Sequence, residues 1–202
     1  MVVMTIQPSD ELPRIHAGPL TRADLDALPD DGRRHELLDG VLIVSPAPRP
    51  KHRRAAFRLA RLLDEMCPDG LEVFMAPLDV ALGDDTVLEP DVLVTRVDDL
   101  TEKDLPKPPV LAVEVLSPST RRYDLLLKRS RYEAAGTPSY WVVDPDEPSI
   151  IAWDLRDGQY VEAGRAKGSD ALELAVPFGV RVVPELLVSS KRSSARDLDS
   201  NV

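Results

Sequence analysis

Residues 110–116 read Val-Leu-Ala-Val-Glu-Val-Leu, apolar at every position except Glu114. A run this short and this apolar fits a strand covered on both faces, as in a sheet with helices on either side. The next thirty residues narrow the fold further. Ser117-Pro118-Ser119-Thr120 makes a turn with capping potential, a helix is expected from about Arg121 to Ala135, and Gly136 is a natural stop. Ser139 to Asp144 then reads as the next strand. Strand, helix and strand over this span make a βαβ unit, whose crossover is right-handed by default.

Hairpins flank this unit. Asp39-Gly40 separates two apolar runs, Leu37-Leu38 and Val41–Val44, which is the strongest short hairpin signal a sequence carries. A second hairpin is expected from Ile150–Leu155 and Gln159–Glu162, joined by Arg156-Asp157-Gly158. Leu71–Met75, Leu78–Leu82 and Pro90–Val94 are further strand candidates, and Leu172–Val176 and Val180–Val183 close the fold with β structure. Two more helices are expected. One is short and starts at a Thr21/Asp24 capping box; the other runs from Lys51 to Met66, with Ala56, Leu59, Leu63 and Met66 on one side. The fold class is therefore α/β with a mixed sheet. One domain over residues 19–188 is expected, between a flexible leader (1–18) and a polar, disordered tail (189–202).

Charge and cysteine content exclude several functions. Lys and Arg number 25 against 35 Asp and Glu, a net charge of −10, which disfavours a protein that coats duplex DNA with its whole surface. Contact with phosphate would have to come from a local patch, and Ser45–Arg61 supplies one, with six Lys or Arg and no acid. The single cysteine, Cys67, allows neither a disulfide framework nor a cysteine zinc cluster within one chain and fits a cytoplasmic protein. No secretory signal and no apolar run approaching the roughly 18 residues of a membrane span occur. A phosphate-binding Gly-rich loop, a Gly-x-Ser-x-Gly elbow and a His-Glu-x-x-His helix are all missing.

The chemistry then falls to a few charged residues. Glu114 in a doubly buried strand needs compensation, from a metal ion or from a buried arginine. Asp91 comes directly after Pro90 at the start of another strand candidate. If the two strands pair, both carboxylates converge at one edge of the sheet, and two hard oxygen ligands with a backbone carbonyl suit Mg²⁺. Read alone, Asp91 is equally a turn or cap acid. Lys128 shares a helical stripe with Asp124, Leu125, Tyr132 and Ala135, and either snorkels to solvent or reaches the end of the strand that feeds the helix. Glu36 is a third carboxylate or a plain strand acid. His52, beside Arg53 and Arg54, can touch phosphate, transfer a proton, or simply be solvated.

Taken in order, these blocks resemble a known family. They are Glu36-Leu37-Leu38-Asp39-Gly40; a Pro-rich stretch before His52; Pro90-Asp91; Val113-Glu114-Val115-Leu116-Ser117-Pro118-Ser119-Thr120; Asp124, Lys128, Tyr132 and Gly136 at four-residue steps; and Tyr140-Trp141-Val142-Val143-Asp144. The series, over about residues 20–188, resembles the Uma family of restriction endonucleases within the PD-(D/E)XK nuclease superfamily. The resemblance implies a restriction-endonuclease-like core: a mixed central β-sheet flanked by helices, with β-hairpin additions. It implies an endonuclease acting on DNA with Mg²⁺ or Mn²⁺, held by Asp91, Glu114 and the Val115 carbonyl. The superfamily lysine two residues after the acid is Leu116 in this chain, so Lys128 would be its migrated replacement, and Glu36 an accessory acid. Arg53, Arg54, Arg58, Arg121 and Arg122, with His52, would be the phosphate contacts, and a homodimer would serve to cut both strands. A catalytically silent nuclease-fold module and a hydrolase of another phosphodiester remain open as alternatives.

Overall fold

The computed structural model describes residues 18–118, 121 and 123–189, with Tyr123 described in its backbone only. The expected leader and tail therefore lie outside the described residues, apart from Gly18 and Ser189. Helix α1 (Arg22–Asp26) starts where the capping box placed it: the Thr21 N–H donates to Asp24 Oδ2 at 2.9 Å. Strands β1 (Arg34–Leu38) and β2 (Val41–Ser45) form the first hairpin, with Leu38 paired to Val41. Asp39 and Gly40 both take positive φ, 53° and 73°, as a two-residue type I′ turn requires.

Helix α2 (Pro50–Met66) carries proline in its first turn and buries Ala55, Ala56, Leu59, Ala60 and Leu63. Met66, expected on the same stripe, is instead exposed at the helix's last position. Strands β3 (Leu71–Met75), β4 (Val80–Ala81), β5 (Val87–Leu88), β6 (Val92–Arg96) and β7 (Leu111–Val115) come next. The Leu78–Leu82 candidate shrinks to the two residues of β4, and the two-residue β5 was not expected. Every residue of β7 is buried, as its apolar run implied.

After β7 the expected helix is real but not uniformly α. A π-helical turn, Tyr123–Lys128, leads into α3 (Arg129–Ala135), which Gly136 ends. Strands β8 (Ser139–Asp144), β9 (Ser149–Arg156), β10 (Gln159–Lys167), β11 (Leu172–Leu174) and β12 (Val180–Val182) and the short helix α4 (Pro184–Val188) complete the chain.

A six-stranded sheet in the order β10-β9-β8-β7-β6-β3 is the centre. Its β7–β8 pair is parallel and its other pairs are antiparallel, so the sheet is mixed. A four-stranded sheet, β2-β1-β5-β4, and a two-stranded one, β11-β12, are added to it. Strand alternation sorts the central side chains into two layers. Leu111, Val113 and Val115 pack with Leu59 and Leu63 of α2, whereas Ala112 and Leu116 pack with Tyr132 of α3. Glu114 shares the parity of Ala112 and Leu116, and so belongs to the α3 side.

The Asp39-Gly40 turn is also a packing point. A Cβ on Gly40 would meet Pro19 Cβ at 2.3 Å, and the Leu20 N–H donates to the Gly40 carbonyl at 2.8 Å. Gly40→Ala should therefore lose about 2–4 kcal/mol, from the left-handed backbone and the collision together. Urea denaturation of the two proteins measures this, and a loss under about 0.5 kcal/mol would contradict it.

Candidate active site

The antiparallel register of β6 and β7 pairs Val92 with Val113, and one step further it sets Asp91 across from Glu114. The Val115 N–H donates to Asp91 Oδ2 at 2.7 Å, locking the turn into β6 against the end of β7. Arg34, at the start of β1, donates from Nη1 to Asp91 Oδ1 at 3.0 Å and from Nη2 to Glu36 Oε1 at 3.2 Å. The same guanidinium lies 3.5 Å from Glu89 Oε2 and 4.0 Å from Glu114 Oε2. His52, on the first turn of α2, brings Nε2 to 3.2 Å from Asp91 Oδ2.

Lys128 approaches from the other layer. Its Nζ donates to Glu36 Oε1 and Oε2 at 2.7 and 3.0 Å and to Glu114 Oε1 at 3.2 Å, and lies 3.6 Å from Asp124 Oδ1. It is 2% exposed, so it does not snorkel to solvent. The π-helical turn that carries it is fixed from below. Tyr140 Oη donates to the Asp124 carbonyl at 2.7 Å, and the Tyr132 and Tyr140 rings pack with centroids 5.4 Å apart. Glu36 is fixed in turn, because the Glu89 N–H donates to its Oε1 at 2.8 Å. These residues stand in a cleft of about 930 Å³, whose rim includes Arg33, Arg49, Arg53 and Phe57.

Charge is unevenly compensated here. Five acids, Glu36, Glu89, Asp91, Glu114 and Asp124, are buried around Arg34 and Lys128. Burial pushes the Glu114 carboxyl well above the usual carboxylate range, more than Lys128 pulls it back. Burial also pushes Glu89 up to about 7, against the pull of Arg34. Burial acts on Asp91 in the same sense, but His52, Arg34 and the Val115 N–H outweigh it and hold Asp91 below the ordinary value. Lys128 and Arg34 are desolvated, which by itself favours their neutral forms; the surrounding carboxylates reverse this, and both cations are strengthened.

Asp91, Glu114, Lys128 and Glu36 thus come together, although more than 90 residues separate the first of them in the chain from the last. Val115 lines the same cleft, and His52 and Arg53 stand in it too. Three of the expected phosphate contacts are elsewhere. Arg54 Nη1 donates to the Val188 carbonyl at 3.2 Å and Arg58 Nη1 to the Leu186 carbonyl at 2.5 Å, so both cap the end of α4 because they project from the opposite side of α2. Arg121 donates to Asp144 Oδ2 at 2.5 Å, outside the cleft lining. Arg122 lies outside the described residues. Sequence reading missed Arg34 and Glu89. The signal for both was parity: Arg34 is two residues from Glu36 on one strand, and Glu89 is two residues from Asp91.

Hard oxygens from Asp91, Glu114 and the Val115 carbonyl are the donor chemistry a divalent cation of the Mg²⁺ type takes. Among the described residues, however, no group of three or more His, Cys, Asp or Glu side chains stands ready to hold a metal ion. The acid oxygens are turned to Arg34, Lys128 and His52 instead. No helix of the described residues is long and apolar enough to cross a membrane.

Comparison with known proteins agrees with this architecture. The profile of the Uma2 family, described as "Putative restriction endonuclease", matches residues 22–187. Among solved structures, a "putative nuclease belonging to DUF820" from Anabaena variabilis superposes with a TM-score of 0.64 at 20% identity, covering 79% of this chain and 90% of that one. No curated protein matches.

Lys128 is the cation that Glu36 and Glu114 share in the interior. Lys128→Met should cost about 3–5 kcal/mol, because it strands two buried carboxyls rather than removing a surface charge. Urea denaturation at neutral pH reads this directly. A loss below about 1 kcal/mol would show that the two acids do not depend on the ammonium.

Proposed function

The chain belongs to the Uma2 family, and from that premise we propose that it is a divalent-metal-dependent endonuclease that hydrolyses DNA phosphodiester bonds. The observation that supports this most is the meeting of Asp91 and Glu114 across paired strands with the ammonium of Lys128 beside them. Asp91, Glu114 and the Val115 carbonyl would hold Mg²⁺ or Mn²⁺. When bound, that ion lowers the pKa of a coordinated water and offsets charge on the phosphate.

The chain's own residues do the rest. His52 and the Val115 N–H fix the Asp91 carboxylate and keep it ionised. Lys128, strengthened as an acid-paired cation, does not serve as a base. Its Nζ orients the attacking water and offsets charge that builds on the phosphate oxygens. Glu36 holds that ammonium with both of its oxygens and is a positioning residue. Arg53 meets the DNA backbone at the rim, joined there by Arg33 and Arg49, whereas His52, expected as a phosphate contact, turns Nε2 to Asp91 and buries Nδ1. Such a local basic edge reconciles a net charge of −10 with a polyanionic substrate. Residues 19–188 act as one nuclease domain on this proposal, and the chain works in the cytoplasm. Two copies related by a two-fold axis would cut both strands of a duplex.

Incubation of supercoiled plasmid with Mg²⁺ tests the reading. The wild-type protein should nick or linearise it, and Asp91→Ala and Glu114→Ala should each lower the rate at least about 100-fold. Equal inertness of all three proteins, with DNA still bound, would identify a silent binding module. Hydrolysis of a small phosphodiester without plasmid cleavage would assign another substrate.

A further inference from the structure

Arg34 lies where the two acids of the proposed metal site face each other. Its Nη1 bonds Asp91 at 3.0 Å, and its Nη2 lies 4.0 Å from Glu114 while bonding Glu36 at 3.2 Å. The guanidinium hydrogen-bonds Asp91 and Glu36 through one oxygen each, and lies at ion-pair distance from Glu89 and Glu114. Its Nε is buried and makes no hydrogen bond. Arginine binds carboxylate most strongly through the planar two-point fork. Arg34 therefore spreads one charge over an acidic pocket instead of anchoring to one partner.

Its position differs from that of Lys128. The ammonium of Lys128 sits on the floor of the cleft, with its side chain 3% exposed, and uses hydrogen bonds to Glu36 and Glu114. The Arg34 side chain is 22% exposed and lines the open cleft. A buried carboxylate that stays ionised is costly without a nearby cation. Lys128 supplies one charge permanently, while Arg34 supplies a second from the solvent side. That second charge occupies the oxygens a divalent ion would take.

We infer that Arg34 is a tethered competitor of the divalent cation: it neutralises Asp91 and Glu114 in the metal-free protein and must release them for the ion to bind. The inference rests on the metal-dependent function proposed for this site. It explains why the described residues present no ready-made metal cage although their donor chemistry suits one. Metal affinity is then set by exchange of one cation for another rather than by filling an open seat.

Binding of Mn²⁺ to the full chain, followed by calorimetry or by the electron paramagnetic resonance of free Mn²⁺, tests this without any nuclease assay. Arg34→Gln should bind Mn²⁺ at least about 10-fold more tightly than wild type. Arg33→Gln removes a charge from the same rim, but Arg33 pairs only with the exposed Asp31 at 3.7 Å, so it should change affinity less than about 2-fold. Arg34→Lys covers the case in which Arg34→Gln does not fold. Its ammonium reaches fewer of the acids, and it too should bind more tightly than wild type. Equal affinity across wild type and the Arg34 variants, or equal tightening in Arg33→Gln, overturns the inference and leaves the metal reading standing. Absence of Mn²⁺ binding in every protein overturns both.

Discussion

Five carboxyl groups buried at one end of a sheet are costly unless cations pair them or protons neutralise them, and this requirement organises the molecule. Lys128 answers it from the helical layer and Arg34 from the hairpin. Neither residue belongs to the strands that carry Asp91 and Glu114. The site therefore depends on three separate parts of the fold docking correctly: the β6–β7 pair, the β1–β2 hairpin and the π-helical turn before α3. Each part brings charge that would be costly to bury without the others. A cluster assembled this way couples folding to site formation, because a misplaced hairpin takes Glu36 from Lys128 and Arg34 from Asp91.

The supporting layers are apolar in proportion. Alternation along β7 sends Val113 and Val115 to α2 and Ala112 and Leu116 to α3, with Glu114 the only exception on its face. The aromatic cluster of Tyr132, Tyr140, Trp153 and Tyr160 lies beneath α3, and Arg129 stands 5.0 Å over the Trp153 ring. Its rigidity matters for position. The Tyr140 hydroxyl holds the Asp124 carbonyl within the π-helical turn, so the backbone that aims Lys128 is tied to the sheet rather than to solvent.

Where a residue's partner is close in sequence or fixed by strand alternation, the sequence was informative. The buried run at Glu114, the Asp39-Gly40 turn, the helix beginning near Lys51 and the crossover to Ser139 are all legible in local pattern, and the structure has them. The oddness of a charge in that run was enough to single out Glu114. The pattern failed where the answer depended on three-dimensional direction. Arg53, Arg54 and Arg58 look alike as a basic run, yet the turn of α2 sends Arg53 to the cleft and Arg54 and Arg58 to the carbonyls of α4. Arg34 was harder to read for the opposite reason. It sits at a strand start next to Arg33 and His35; its parity with Glu36 is the one local sign, and nothing local marks it as the counter-ion of Glu89, Asp91 and Glu114, 55 or more residues away.

The cation beside Glu114 comes from the helix, not from the strand that carries the acid. At position 116 the strand carries leucine, buried with Tyr132 and Tyr140 in the layer beneath α3. A lysine there would have to extend from a packed apolar surface, whereas the helical Lys128 lines the cleft with its Nζ on Glu114. From there the ammonium answers to two acids, since Glu36 shares it at 2.7 Å. Its aim depends on a π-helical turn, whose register depends on side-chain packing, and not on a strand, whose direction is fixed by pairing. For a chain that must hold a cation inside an acidic pocket, the helical position offers a longer reach and a second anchor. The cost is dependence on the hairpin that delivers Glu36.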